Sequence, residues 1–512
     1  MGEWTDDVMS FMDSIDPLAD PAGMALNDAE ALAQFRAWRP DAMWCADTGV
    51  LITSTGLDNF NESRGDRLLY RLLMEFNEGR RLWALEQAAG ARADGDAARE
   101  KAARAYAKHA AKCNTAGALG QFAKLFKARC EVPASALNAR ADVIGTPSGV
   151  VDMDTGAPCP EGSGARDWLV TKRTAADVAG PLWDFDPDPR WAEFIDEIMC
   201  GDAERAAYLQ RALGYSCLGG NPEEAMFVAY GATTRNGKGT LLNTVAAALG
   251  DYAAAAPPGF LLASRDTGGT DDVLASMAGK RLVTISEPAE GRRLDESKVK
   301  SLTGNDPVTT SRKYGRTFTY TPEFTMWLSC NRLPTVADTS VFTSGRIRVV
   351  PFERHFAPEE QDHGLKARFM SRRGLATVLA WLLEGFAEYR ERGLDEPADV
   401  RAATGAYANV GGSSVRRFLD ARCKLALGAR CENNALKDAY AAFCASVGED
   451  PMGAQKMRRE LESAGVSKKR SHGRDFWCGV ALLPEWGMHQ DAPGGAGKSA
   501  PGGREGRKIM LV

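Results

Sequence analysis

"YGATTRNGKGTLLN", residues 230–243, has the residue types of a phosphate-binding loop at an unusual spacing. Such a turn works because backbone N–H groups and a helix N-terminus converge on an anion while a lysine reaches the outer phosphates. The usual pattern sets four residues between the first glycine and Gly-Lys, whereas Ala232, Thr233, Thr234, Arg235 and Asn236 make five here. Gly239 stands where a serine or threonine commonly ligates magnesium, leaving Thr240 as the nearest hydroxyl. The flanks decide the matter. "AMFVAY" (225–230) is an apolar β-prone run and "TLLNTVAAALG" (240–250) is helix-like, with Gly250 placed as a C-cap. Strand, loop and helix together predict nucleotide binding by Gly231, Asn236, Gly237, Lys238, Gly239 and Thr240. The "GGAGKS" at 494–499 is a decoy, because its first glycine would fall at Ala492 and no strand or helix pattern flanks it.

A chain of 512 residues should hold several domains. Hydrophobic residues at 44% and charged residues at 26% describe a soluble globular protein, and a net charge of −5 confines any nucleic-acid surface to a local patch. No apolar run approaches the ~20 residues of a membrane span, and the acidic start lacks a signal-peptide pattern, so a cytoplasmic protein with no membrane partner is expected, in a bacterial host. Cysteines 45, 113, 130, 159, 200, 217, 330, 423, 431, 444 and 478 include no C-x-x-C pair. That argues against a zinc ribbon and against disulfides, and leaves them as small buried apolar residues.

Six regions follow from composition and periodicity. Residues 1–134 are a mixed region of open role. They include "RLWALEQAAGARADGDAAREKAARAYAKHAAK" (81–112), a helix interrupted near Gly95 whose charges form a solvated face. Residues 135–221 end in a helical segment, 222–355 alternate short apolar strands with helices as in an α/β nucleotide-binding core, and 356–412 continue as helices. Residues 413–486 form a small helical and basic unit, and the Gly/Pro-rich 487–512 read as a disordered tail.

Turnover needs an acid to polarise water, a polar sensor of the outermost phosphate, and a cation for the charge that develops. "KRLVTISEP" (280–288) ends its strand at Glu287, "FTMWLSCNRLP" (324–334) ends at Asn331, and "SGRIRVVPF" (344–352) carries Arg346 and Arg348.

This order of segments resembles the helicase core of superfamily 3, in the phage, plasmid and poxvirus primase-helicase group. The resemblance also takes in "KVKSLTGNDPVTTSRKYGRTFTYTPEF" and covers roughly residues 135–485. It implies an AAA+ ATPase fold that forms a ring, with a hexamer expected, in which an arginine of one subunit completes the site of its neighbour. By that resemblance Lys238 and Thr240 bind ATP and Mg2+, Glu287 is the catalytic acid and a metal ligand, Asn331 the sensor, and Arg346 the finger, with Arg348 the other candidate. Two departures stand: Ser286 occupies the place of a frequently paired acid, and the extra loop residue leaves the part of Thr240 open.

"VTTSRKYGRTFTY" (308–320) predicts a hairpin with a basic aromatic tip. In the family this hairpin grips DNA in the ring's channel, which implies Arg312, Lys313, Tyr314 and Arg316 as DNA contacts, with Lys300 communicating between site and hairpin. Translocation on single strands needs such cations and an aromatic. "VVDMD" (150–154) invites comparison with primase metal ligands, but Asp152 and Asp154 read as turn residues before Gly156. The expectation is therefore a replicative DNA helicase acting on single-stranded and forked DNA, with a separate primase or polymerase as a possible partner. The alternatives are an AAA+ initiator or loader, a DNA-binding scaffold with a structural nucleotide and, as a minor one, a helicase with primase activity. Residues 413–486 read as three short helices and a β-hairpin, the succession of a winged helix. Lys468, Lys469, Arg470 and Arg474 lie there within a basic cluster expected to hold duplex DNA.

Overall fold

The structure, a computed structural model, describes residues 21–56, 59–160, 165–177, 186–263, 270–286, 292–311, 317–411, 414–446, 450–471 and 473–483. Glu287, the hairpin tip 312–316 and the tail 487–512 lie outside the described residues. The chain divides into two compact units between residues 408 and 409.

The first unit begins with α1 (Asp28–Trp38), β1 (Met43–Cys45), β2 (Val50–Ser54), β3 (Phe60–Arg64), α2 (Arg67–Ala93), α3 (Ala97–Cys113), α4 (Ala116–Arg129) and β4 (Glu131–Val132). The strands form a sheet of order β3-β2-β1-β4, which short strands with little alternation did not announce in the sequence. Phe35 sits at the centre of the helices, edge-on to Phe76 at 5.3 Å and to Phe126 at 5.5 Å. The break expected near Gly95 falls between α2 and α3. Gly95 takes φ 74° there, and the Asp96 side chain caps α3 by accepting from the Arg99 N–H.

A hairpin of β5 (Val143–Thr146) and β6 (Gly149–Asp152) follows. Asp154 is a turn residue as expected, whereas Asp152 is the last residue of β6, paired with Val143, and its side chain caps that turn. Oδ1 of Asp152 accepts from the Thr155 N–H at 2.9 Å, Gly156 has φ 65°, and Asp154 pairs with Arg390 at 2.9 Å. Helices α5 (Pro189–Ile198) and α6 (Ala203–Tyr215) come next, with Asp188 and Asp202 as their caps.

The core runs β7 (Met226–Tyr230), α7 (Lys238–Leu249), β8 (Ala253–Ala256), α8 (Thr270–Met277), β9 (Leu282–Ile285), α9 (Glu296–Thr303), β10 (Val308–Ser311), β11 (Thr317–Tyr320), β12 (Thr325–Cys330), α10 (Ser340–Thr343) and β13 (Ile347–Pro351). Five strands form a wholly parallel sheet of order β13-β7-β12-β9-β8. Its strands are near-continuous apolar runs because helices cover both faces. At its centre Phe227 of β7 stacks on Trp327 of β12, with ring centroids 4.7 Å apart. Helices α11 (Leu365–Phe369), α12 (Arg372–Arg392) and α13 (Ala398–Gly411) complete this part. The α6–α12 contact depends on two glycines. A Cβ on Gly214 would lie 2.3 Å from the Phe386 nitrogen, and one on Gly385 would lie 2.3 Å from the Gln210 oxygen.

The second unit holds α14 (Ser414–Arg422), β14 (Cys423–Glu432), α15 (Asn433–Ser446), α16 (Ala454–Ser463), β15 (Ser467–Ser471) and β16 (Arg474–Leu482) around a core that includes Phe418, Tyr440, Leu461 and Trp477. The three helices and the terminal hairpin are as expected. Strand β14 is a correction, since it adds to the hairpin in the order β14-β16-β15. Its ladder breaks between Leu425 and Arg430, and that irregularity disguises its alternation in the sequence. The cysteines also need a correction: seven are buried, Cys113, Cys159 and Cys478 are half-buried, and Cys200 is exposed in the turn after α5, at φ 57°.

Candidate functional site

Ligands of open parallel sheets bind beyond the carboxyl ends of the strands, and the glycine-rich loop lies there, between β7 and α7. Tyr230 at the end of β7 is in register with Cys330 at the end of β12, so Gly231 and Asn331 emerge side by side. Nζ of Lys238 donates to Oδ1 of Asn331 at 2.8 Å and to the Gly231 carbonyl at 3.3 Å. Lys238 and Asn236 are each only 4% exposed, and Asn236 turns its amide back onto the Thr233 carbonyl at 2.6 Å. The loop is thus folded over its own lysine, which accommodates the extra residue.

Two of the predicted glycines are dictated by space. A Cβ on Gly231 would lie 2.3 Å from Nδ2 of Asn236 and 2.5 Å from the Phe352 oxygen. Gly237 caps α7 at φ 83°, and a Cβ there would meet Cγ2 of Ile198 at 2.4 Å. Gly239 has open space around it. Arg235 at the loop's apex takes φ 56°, a conformation that few non-glycine residues adopt.

A segment that the motifs did not flag braces this loop. Tyr230 accepts from the Phe352 N–H at 2.6 Å, Arg235 accepts from the Phe356 N–H at 2.9 Å, and His355 Nδ1 lies 2.8 Å from the Thr234 oxygen. The Arg235 guanidinium also donates to Gln361. Between this segment, the loop and α5 lies a cleft of about 300 Å³, lined among others by Arg190, Phe194, Thr240, Phe356, Asp362 and Lys366. The only sequence signal for it is its position directly after "GRIRVVPF".

The two arginines stand elsewhere. Arg346 precedes β13 at the amino end of the sheet, where its carbonyl accepts from the Met226 N–H at 2.8 Å. Its guanidinium donates to Oγ1 of Thr303 at 2.8 Å and pairs with Glu224 at 2.6 Å. Arg348, on β13, pairs with Glu223 at 2.9 Å. Within one chain, both therefore occupy the opposite end of the sheet from Lys238. Lys300 pairs with Asp338 at 2.6 Å, and that bond, with the hydrogen bonds from Ser340, holds the Asp338 carboxyl down at about 2.

Strands β10 and β11 form the expected hairpin, with Ser311 paired to Thr317. Its stem is tied to α8, since Oγ1 of Thr310 donates to the Asp271 carbonyl at 2.6 Å and the Tyr320 hydroxyl to the Leu274 carbonyl at 2.7 Å. Arg312, Lys313, Tyr314 and Arg316 lie outside the described residues. In the second unit, Lys468, Lys469 and Arg470 lie exposed on β15, and Arg474 opens β16. Asp475 pairs with Lys468 at 2.8 Å and approaches Arg470 at 3.9 Å, so part of that basic cluster is neutralised from within. Among the described residues, no three His, Cys, Asp or Glu gather as a metal site, and no helix is long and apolar enough to cross a membrane.

Two family models match the chain. "D5 N terminal like" matches residues 38–200, and a family of unknown function, DUF5906, matches residues 229–346, which hold the loop, Asn331 and Arg346. Among curated relatives, "Putative helicase L207/L206" of Acanthamoeba polyphaga mimivirus is 25% identical over 296 residues, 52% of this chain and 29% of that protein. "Putative helicase 022R" of Frog virus 3 is 28% identical over 175 residues, 33% of this chain and 18% of that protein. The apo C-terminal region (305–718) of NrS-1 is a structural neighbour at 11% identity and TM-score 0.39, over 61% of this chain and 86% of that one. The resemblance to the phage and poxvirus helicase-primase group is borne out by these relatives.

Proposed function

We propose that the chain is an ATP-driven DNA helicase of a phage or mobile element, working as a ring on single-stranded DNA. The observation that carries this reading is the Lys238–Asn331 contact beneath a glycine-rich loop at the carboxyl ends of neighbouring parallel strands. A buried cation beside a fixed amide, at a helix N-terminus, suits a triphosphate's outer end. The cleft beside Gly237 and Thr240 has room for the base and ribose. Thr240 and Glu287 are the residues that would hold Mg2+, which supplies charge neutralisation on the phosphates. Thr240 fits, since its half-exposed side chain lines the cleft beside the loop. Glu287 follows β9, the strand next to β12, and would orient the attacking water.

The wider reading rests on further supports. The placement of Arg346 at the far end of the sheet suits action on a neighbouring subunit's site, as a hexamer requires. The chain between β10 and β11 carries Arg312, Lys313, Tyr314 and Arg316, a run suited to DNA, and the helix–strand–helix–helix–strand–strand order of the second unit suits a winged helix. Strand separation on a forked duplex tests the reading. The wild type should unwind the fork with ATP, and Glu287→Gln should bind ATP while hydrolysis and unwinding fall on the order of a hundredfold. Hydrolysis without unwinding would favour a loader or initiator, and wild-type turnover in Glu287→Gln would remove the acid from its assigned place.

A further inference from the structure

Residues 97–129, spanning α3 and α4, carry eight Lys/Arg and a single acid, Glu100, in a chain whose net charge is −5. Helix α3 turns Ala103, Tyr106, Ala107 and Ala110 into the protein. Lys101, Arg104, Lys108 and Lys112, at spacings of three and four, stand exposed on the opposite face. At about 1.5 Å per residue this row is roughly 16 Å long. Exposed Lys124 and Arg129 of α4 extend the same local excess.

The fold pairs other cations of this segment and leaves Lys101, Lys108 and Lys112 alone. Lys127 lies 2.5 Å from Asp66 and 4.1 Å over the Trp44 ring, and Arg99 donates to Gln87 at 2.9 Å. Glu100 pairs with Arg104 at 2.9 Å. Lys101, Lys108 and Lys112 make no ion pair among the described residues. A merely solvated helix face interleaves signs, because opposite charges four residues apart help a helix and like charges hurt it. Here Arg104–Lys108 and Lys108–Lys112 are like pairs at that spacing, a cost that an anionic partner would reverse.

The partner's chemistry follows from what the face lacks. Tyr106, Phe122 and Phe126 are all buried, so α3 and α4 offer cations with no exposed Tyr, Phe or Trp, among the described residues, on which unpaired bases could stack. A straight row of that kind suits the regular phosphates of a duplex. We propose that the exposed face of α3 docks duplex DNA through its backbone phosphates without reading sequence.

The test uses the full chain without nucleotide, so it stands apart from the ATP reading. It is run on a background of Lys468→Ala, Lys469→Ala and Arg470→Ala, so that the second unit's cluster does not mask the effect. The probe is a labelled random-sequence duplex, with oligo(dT) of equal length beside it, titrated over a range of salt. Lys101→Ala, Lys108→Ala and Lys112→Ala together should weaken duplex binding at least tenfold at low salt. The salt slope should fall by about two to three, since each phosphate contact contributes about 0.9. The corresponding triple Lys→Arg variant should bind as the background does. Unchanged duplex affinity and slope in the folded Ala variant would overturn the proposal. An equal loss on oligo(dT) would overturn the duplex assignment, and failure of the Arg variant to restore binding would show that charge is not the cause.

Discussion

The ammonium of Lys238, from the first turn of α7, lies 2.8 Å from the amide oxygen of Asn331, just past the end of β12. Two residues 93 positions apart meet because β7 and β12 are parallel neighbours ending in register, Tyr230 beside Cys330. Asn331 accepts from the lysine, and in the proposed reading its own N–H is donated to a phosphate. Asn331→Ala should therefore keep ATP affinity within a few-fold while hydrolysis falls about tenfold to a hundredfold. Comparing equilibrium ATP binding with single-turnover hydrolysis checks this, and a loss confined to binding would contradict it.

The glycines of the loop make unequal demands. Gly237→Ala forces a Cβ into Ile198 at a positive φ, and should both lower the melting temperature and abolish nucleotide binding. Gly239→Ala points a methyl into open space within the first turn of α7, and should be neutral or stabilising by up to about 1 kcal/mol. Thermal melting of both variants with and without ATP separates them. Equal destabilisation would mean that Gly239 is as confined as Gly237, against the open space around it.

Arg346 should act between subunits. Mixing Arg346→Ala with Lys238→Ala subunits should restore part of the ATPase activity, since some interfaces regain an intact half from each parent. Glu224→Ala, which removes the ion-pair partner 2.6 Å away, should leave that arginine competent and complementation intact. Mixed assemblies as inactive as either parent, with assembly confirmed by sizing, would remove Arg346 from the role and turn attention to Arg348.

Much of this was legible in the sequence, and the exceptions have physical causes. Strands β7, β9, β12 and β13 announced themselves as short apolar runs, whereas the all-alanine β8 did not, and the loop's chemistry was local, so Lys238 and Asn331 could be placed before any geometry was known. Strand β14 was hidden by its broken ladder, and the N-terminal sheet by its short strands. The bracing of the loop by His355, Phe356 and Gln361 is a tertiary contact with no periodicity of its own. Asp475 escaped attention because a cross-strand partner is visible only once the register of β15 and β16 is known.

The Lys300–Asp338 pair gives a pH signature. The Asp338 carboxyl is lowered from 3.8 to about 2 by the hydrogen bonds from Lys300 and Ser340. A depressed acid stabilises the fold above its unfolded value, and the contribution is lost as pH falls through the folded one. Asp338→Asn should therefore lower the melting temperature slightly at pH 5 to 7, by an amount limited by solvent screening, and the gap from wild type should close between about pH 4 and pH 2. A gap independent of pH would place the effect in packing instead.

The loop around Lys238 is proposed to bind ATP and so to drive work on DNA. The most direct measurement is steady-state ATP hydrolysis by the purified full chain, with and without single-stranded DNA, for the wild type and Lys238→Ala. The wild type should hydrolyse ATP and turn over faster when DNA is added, and Lys238→Ala should do neither, because it loses the buried cation on which the outer phosphates depend. Hydrolysis by Lys238→Ala at the wild-type rate, or a wild type that binds DNA but shows no ATP turnover, would contradict the account.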